Sequence, residues 1–123
     1  MDYGNFSEKL KELQIKQGLA NGLWKKVAAE LPDDSNVVAA GVGVDGNSGS
    51  KSPVVITDEH IYVGRKANLF GGFDFSTARR EDVRAVDVSG TLVAEIRIGT
   101  AGGEINVKGM PKKQAQNIAR VLR

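Results

Sequence analysis

The residues able to do chemistry are few and scattered. Gly41-x-Gly43-x-x-Gly46 carries the letters of a dinucleotide fingerprint. That fingerprint works only where its glycines turn a strand into a helix whose N-terminus meets a pyrophosphate. The polar run Asn47–Pro53 follows instead and is no helix start. The glycines read as relief of crowding in a strongly bent strand. Gly46–Ser52 also falls short of a phosphate-binding loop, because Ser50 splits Gly49 from Lys51 and Pro53 blocks the next helix. Lys51 is the only cation of this loop, and Arg65 and Lys66 join it if the third strand returns beside it. Such a trio is the candidate site for an anionic lipid or phosphate, which needs more than one cation. Arg79-Arg80 and Lys112-Lys113 stand without stacking aromatics and read as solvated rims, not as a nucleic-acid surface.

His60 is the only histidine, and there is no cysteine. A metal site needs two or three further ligands, and a triad needs a nucleophile and an acid that the sequence does not place. Thiolate zinc, disulfides and a cysteine nucleophile are excluded outright. The chain reads as a non-enzyme with no metal and no cofactor.

The elements that must position these residues follow from periodicity. Phe6, Leu10 and Leu13 fall on one helical face, with Asn5 and Glu8 resembling a capping box and Glu12 and Lys16 spaced as an i,i+4 pair. Gly18, Asn21 and Gly22 interrupt the pattern. A second face, Leu23, Trp24, Val27, Ala28 and Leu31, ends at Pro32, with Asn21 as its cap. From Val37 the period becomes two. Val37–Val44, Val54–Ile56, Ile61–Val63, Phe73–Phe75, Val83–Val88, Leu92–Ile98 and Ile105–Val107 predict seven short strands. Thr57-Asp58-Glu59, Leu69–Gly72, Glu81-Asp82, Ser89-Gly90-Thr91 and Gly102-Gly103 predict turns. Pro111 opens a last helix whose Ala115, Ile118, Ala119 and Leu122 share a face. Strands meandering without intervening helices predict a mainly β, α+β fold: an antiparallel barrel or sandwich with one end capped by the C-terminal helix.

A length of 123 residues fits one compact unit, read as an N-terminal helical segment over 1–35 and a β domain over 36–123. Apolar residues at 41% and charged residues at 26% exclude disorder as the main state. The net charge of +2 is too small to imply a polyanion. It is unevenly spread: residues 1–60 carry −3 and residues 61–123 carry +5. No apolar run approaches a membrane span and no secretion signal is visible, so a cytoplasmic location is expected.

Several stretches together resemble the small bacterial pleckstrin-homology-like domains, the YokE-like group in particular. They are Val54–Val63 with its Thr57-Asp58 turn, Leu69–Gly72, Glu81–Val86, Ile96–Ile105, and Met110–Ala115 with its Pro-Lys-Lys helix start. The resemblance covers roughly residues 36–123. The family has an arginine after the Thr-Asp turn where this chain has His60. The resemblance implies seven antiparallel strands in two crossed sheets, a bacterial or bacteriophage source, and a binding or assembly module rather than an enzyme. Such domains bind protein partners, phosphorylated lipids or copies of themselves. With the added helices, the expected function is protein–protein contact, self-association included, through Leu10, Leu13, Leu23, Trp24 and Val27. The alternative is an anionic lipid or phosphate site at Lys51, Arg65 and Lys66.

Overall fold

The computed structural model describes residues 1–16, 21–45, 49–66 and 73–123. Gly18, Gly46 and the Leu69–Gly72 turn lie outside the described residues, as do the side chains of Asn21 and Lys66.

Helix α1 (Tyr3–Glu12) starts earlier than the capping-box reading places it. Its cap is Asp2, whose carboxylate accepts the Asn5 N–H at 3.3 Å. It also ends before Lys16, so Glu12 pairs with Lys9 at 3.5 Å instead. Helix α2 (Asn21–Glu30) follows. The Met1 amino group donates to the carbonyls of Ala28 and Leu31, tying the start of α1 to the end of α2.

The strands are β1 (Val37–Val44), β2 (Lys51–Thr57), β3 (His60–Lys66), β4 (Phe73–Arg79), β5 (Val83–Gly90), β6 (Val93–Thr100) and β7 (Gly103–Pro111). Among the described residues they form one seven-stranded antiparallel sheet in the order β4-β3-β2-β1-β7-β6-β5. Its two halves meet where Val44 of β1 stands opposite Lys108 of β7. Gly43 permits that approach: a Cβ there would lie 2.3 Å from Val107 Cγ1 and 2.5 Å from the Lys108 carbonyl oxygen. This glycine therefore serves strand crossing.

The expected seven-stranded antiparallel fold with a C-terminal helix is present, but the sheet does not close into a barrel. The 3₁₀ turn Arg80–Asp82 sends the chain from β4 into β5, which pairs with β6 and not with β4. Strands β4 and β5 are thus the two edges of an open sheet. The sheet still folds over one core: Val54, Ile56, Ile61 and Val63 of one half meet Ile96, Ile98, Val107 and Met110 of the other. Helix α3 (Lys112–Leu122) drives Ala115 and Ile118 into this core and packs on β1, β5, β6 and β7. Its Gln114 Oε1 accepts the Val42 N–H at 3.1 Å, satisfying a backbone donor of β1.

A second core covers the other face of β1–β3. Phe6, Leu10, Trp24, Val27 and Leu31 pack there on Val37, Ala40, Val55 and Tyr62. Strand β2 is consequently buried from Ser52 to Thr57 on both faces. Each large side chain buried this way contributes roughly 1.5–3 kcal/mol. The Phe6 and Trp24 rings meet edge to face at 5.7 Å. Leu92 departs from its expected strand position: β6 begins at Val93, and Leu92 sits in the β5–β6 turn, 89% exposed.

Candidate functional site

The expected protein-contact set is largely interior. Leu10 and Trp24 are fully buried and Val27 is 1% exposed, all within the core beneath α1 and α2. Leu13 and Leu23 are half-buried. The physical reason is the sheet itself, whose outer apolar face on β1–β3 takes up the apolar helix faces. Lys25 and Lys26 are also engaged within the chain, lying over the Tyr3 and Phe73 rings at 5.5 and 5.4 Å.

Of the expected anion trio, Lys51 and Arg65 do not line the same cleft. Arg65 follows Val63 at the strand period of two and lines a cleft of about 430 Å³ between β3–β4 and the β6–β7 hairpin. Lys51 is exposed at the start of β2, in register with Val44, and lines no part of that cleft. Lys66 stands opposite Phe73, and its side chain lies outside the described residues. The Arg65 guanidinium has no ion pair or hydrogen bond among the described residues, yet Asp82 and Glu104 share its cleft.

Arg80 is not the solvated rim that its pairing with Arg79 suggests. Its Nη1 donates to the carbonyls of Thr57 and Asp58 at 3.1 and 3.3 Å, and its Nη2 donates to the Val121 carbonyl at 2.7 Å. Its own N–H donates to the Glu59 carbonyl at 2.8 Å. One side chain thus joins the β2–β3 turn to the end of α3 across the open seam.

That turn supports a second cleft, of about 180 Å³, lined by Asp34, Asn36, Asp58, Glu59, His60 and Tyr62 among others. Thr57 Oγ1 accepts the His60 N–H at 3.1 Å, closing the turn. Asn36 Nδ2 donates to both Asp58 carboxylate oxygens at 3.2 and 3.1 Å. The turn is therefore held from the α2–β1 loop on one side and by Arg80 on the other. Tyr62 projects from β3 into this cleft with its ring body in the helix-covered core and only 8% of its surface exposed. Its hydroxyl has no hydrogen-bond partner among the described residues. Burial first, and the Asp34 and Glu59 carboxylates second, raise the Tyr62 phenol above its ordinary value. The His60 ring lies 5.9 Å from the Tyr62 ring, tilted by 48°. The carboxylates of Asp34 and Glu59, both exposed, have no partner among the described residues.

Chemically, this second cleft is an acid-rimmed recess beside two rings, while the first offers the Arg65 guanidinium, unpaired among the described residues, beside two acids. Among the described residues, no group of three or more His, Asp or Glu side chains is arranged to hold a metal ion. Among the same residues, no helix is long and apolar enough to cross a membrane. Comparison with family models, with curated proteins and with solved structures finds no match.

Periodicity could not have signalled the β2–β3 cleft, whose walls come from two separate segments, 32–36 and 57–62. The one local signal was the Thr57-Asp58-Glu59-His60 turn itself, with three titratable side chains in four residues.

Proposed function

We propose that the chain is a non-catalytic binding module of the pleckstrin-homology-like kind, acting in the cytoplasm through protein–protein contact, self-association included. The strand order, with both edges at the β4–β5 seam and a helix after β7, supports the family part of this reading. The observation that carries the contact part is the β5–β6 hairpin tip. Leu92 and Val93 are 89% and 59% exposed, adjacent, and the only large hydrophobic side chains exposed among the described residues. An apolar pair at a tip beside a sheet edge offers itself to a partner at a cost in solubility. The contact surface thus moves from the helices, whose apolar faces are covered, to this hairpin.

The alternative anionic-ligand reading keeps only Arg65 from its trio as a cleft residue, and two acids stand beside it.

The test combines sedimentation across a concentration series with crosslinking and capture from a lysate of the source cell. Leu92→Asp/Val93→Asp is compared with the unaltered chain. The expected result is association, with itself or with one dominant protein, that the double variant weakens at least about tenfold, about 1.4 kcal/mol. Circular dichroism of the variant stays unchanged, because both side chains lie outside the core. A variant that retains all of its partners overturns the reading. So does an unaltered chain that stays monomeric, captures no protein, and binds acidic vesicles in a salt-sensitive way.

A further inference from the structure

We propose that the recess at the β2–β3 turn receives the guanidinium of an arginine side chain presented by a partner protein. The inference rests on the protein-contact reading and names the chemistry of one contact. Three independent features of the recess converge on an organic cation. The first is Tyr62, a side chain more than nine-tenths buried whose hydroxyl is directed into the recess without a partner among the described residues. The hydroxyl is left open to a hydrogen bond from a ligand in the recess. The second is the pair of unpartnered carboxylates, Asp34 from the α2–β1 loop and Glu59 from the turn. Both act on the Tyr62 phenol, which places their field in the recess. The third is the half-exposed His60 ring, 5.9 Å from the Tyr62 ring, an aromatic surface on which a flat cation can stack.

Size and shape then select among cations. A recess of about 180 Å³ is smaller than the roughly 300–1,000 Å³ of sites for drug-sized ligands, and suits one side chain. A guanidinium is planar, can donate to a carboxylate and a phenol oxygen at once, and stacks on rings; an ammonium is a compact, strongly hydrated point charge. Arg80, which reaches the same turn, is already committed to three backbone carbonyls. Asp58 is committed to Asn36, leaving Asp34 and Glu59 as the free acids. The turn is held on both sides, so the recess is formed before a ligand arrives, which lowers the ordering cost of binding.

The experiment is a heteronuclear NMR titration of the full chain with four probes: a blocked Gly-Arg-Gly peptide, the matching lysine peptide, guanidinium chloride and spermidine. The expected result is a saturable shift of the Glu59, His60 and Tyr62 signals with the arginine peptide, at least about threefold tighter than with the lysine peptide. Asp34→Asn/Glu59→Gln, at two exposed positions, weakens it about tenfold without altering the rest of the spectrum. Tyr62→Phe, which keeps the ring, weakens it less. No saturable shift overturns the inference, as does an undiminished response in the Asp34/Glu59 variant. Spermidine or free guanidinium binding as tightly as the arginine peptide overturns the partner side chain as the source. If the peptide fails while the Leu92/Val93 variant still loses its partner, the contact reading stands and only this inference falls. If the peptide binds while that variant loses nothing, the recess stands and the hairpin surface falls.

Discussion

At the scale of single residues, the molecule sets Tyr62 and Trp24 apart. Both are aromatic and both lie in the core under α1 and α2; among the described residues the buried Trp24 indole N–H has no acceptor, and Tyr62 lines a cleft. Tyr62 yields a prediction in pH. Burial and the Asp34 and Glu59 carboxylates disfavour its phenolate, so its folded ionisation lies above the ordinary value near 10. The unfolded chain ionises first, binds fewer protons in that window, and is favoured as pH rises. Stability is therefore whole below about pH 10 and falls above it. Tyr3→Phe leaves Tyr62 as the only tyrosine, and its phenolate absorbance against pH reads the midpoint directly. Asp34→Asn/Glu59→Gln brings that midpoint down part of the way, since burial is the larger cause. A midpoint at the ordinary value in the Tyr3→Phe chain contradicts the placement of the ring.

At the scale of elements, the decisive contact is Arg80 across the seam between β4 and β5. Among the described residues it is the side chain that hydrogen-bonds both the β2–β3 turn and the end of α3. Its three acceptors are backbone carbonyls, one of them Val121 at the C-terminal end of α3, where a cation also meets the negative end of the helix. Hydrogen bonds from a charged group contribute more than neutral ones, and the site is half-exposed, so Arg80→Ala is expected to cost about 2 kcal/mol. Arg80→Lys recovers less than half of that, because an ammonium cannot hold the same fork of acceptors. Urea unfolding measures both; a loss under about 0.5 kcal/mol for the alanine variant would place Arg80 among ordinary surface residues. This bridge was not legible in the sequence. Arg79 and Arg80 are neighbours of one type, and only the fold gives one Glu81 as its partner and the other the turn and the helix.

At the scale of the whole molecule, two cores share one sheet. Strand β2 belongs to both, through Val54 and Ile56 on one face and Val55 on the other. The helices of residues 1–35 are thus part of the same packed body as the sheet. Unfolding is expected in one cooperative transition, with near- and far-ultraviolet circular dichroism coinciding. Trp24→Ala should shift that transition by about 3–5 kcal/mol through the cavity it leaves. Trp24→Phe should cost less than about 1.5 kcal/mol, because it keeps most of the volume and removes a buried indole N–H that has no acceptor among the described residues. A separate, unshifted transition for the sheet in Trp24→Ala would show that the helices are an appendage.

Among the described residues, the local pattern was enough for the order of three helices and seven strands and for most of the faces they bury, Leu92 excepted. Period and turn chemistry are properties of neighbours in the chain: Leu10, Val27, Ile96, Ile98 and Ile118 each follow a spacing that assigns them inward. The sequence also excluded thiol chemistry outright, since that needs cysteine. What it left open is whatever depends on how elements meet. Amphipathic helices have an apolar face whether a sheet or a second chain covers it, so Trp24 fitted either until the outer face of β1–β3 was seen to take it. Lys51 and Arg65 were expected to meet if the third strand returned beside the loop; the fold places Arg65 in a cleft that Lys51 does not line. The open seam, the Arg80 bridge and the recess of Asp34, Glu59 and Tyr62 each join segments distant in the chain. Such juxtapositions are set by long-range packing, which spacing along one chain does not encode.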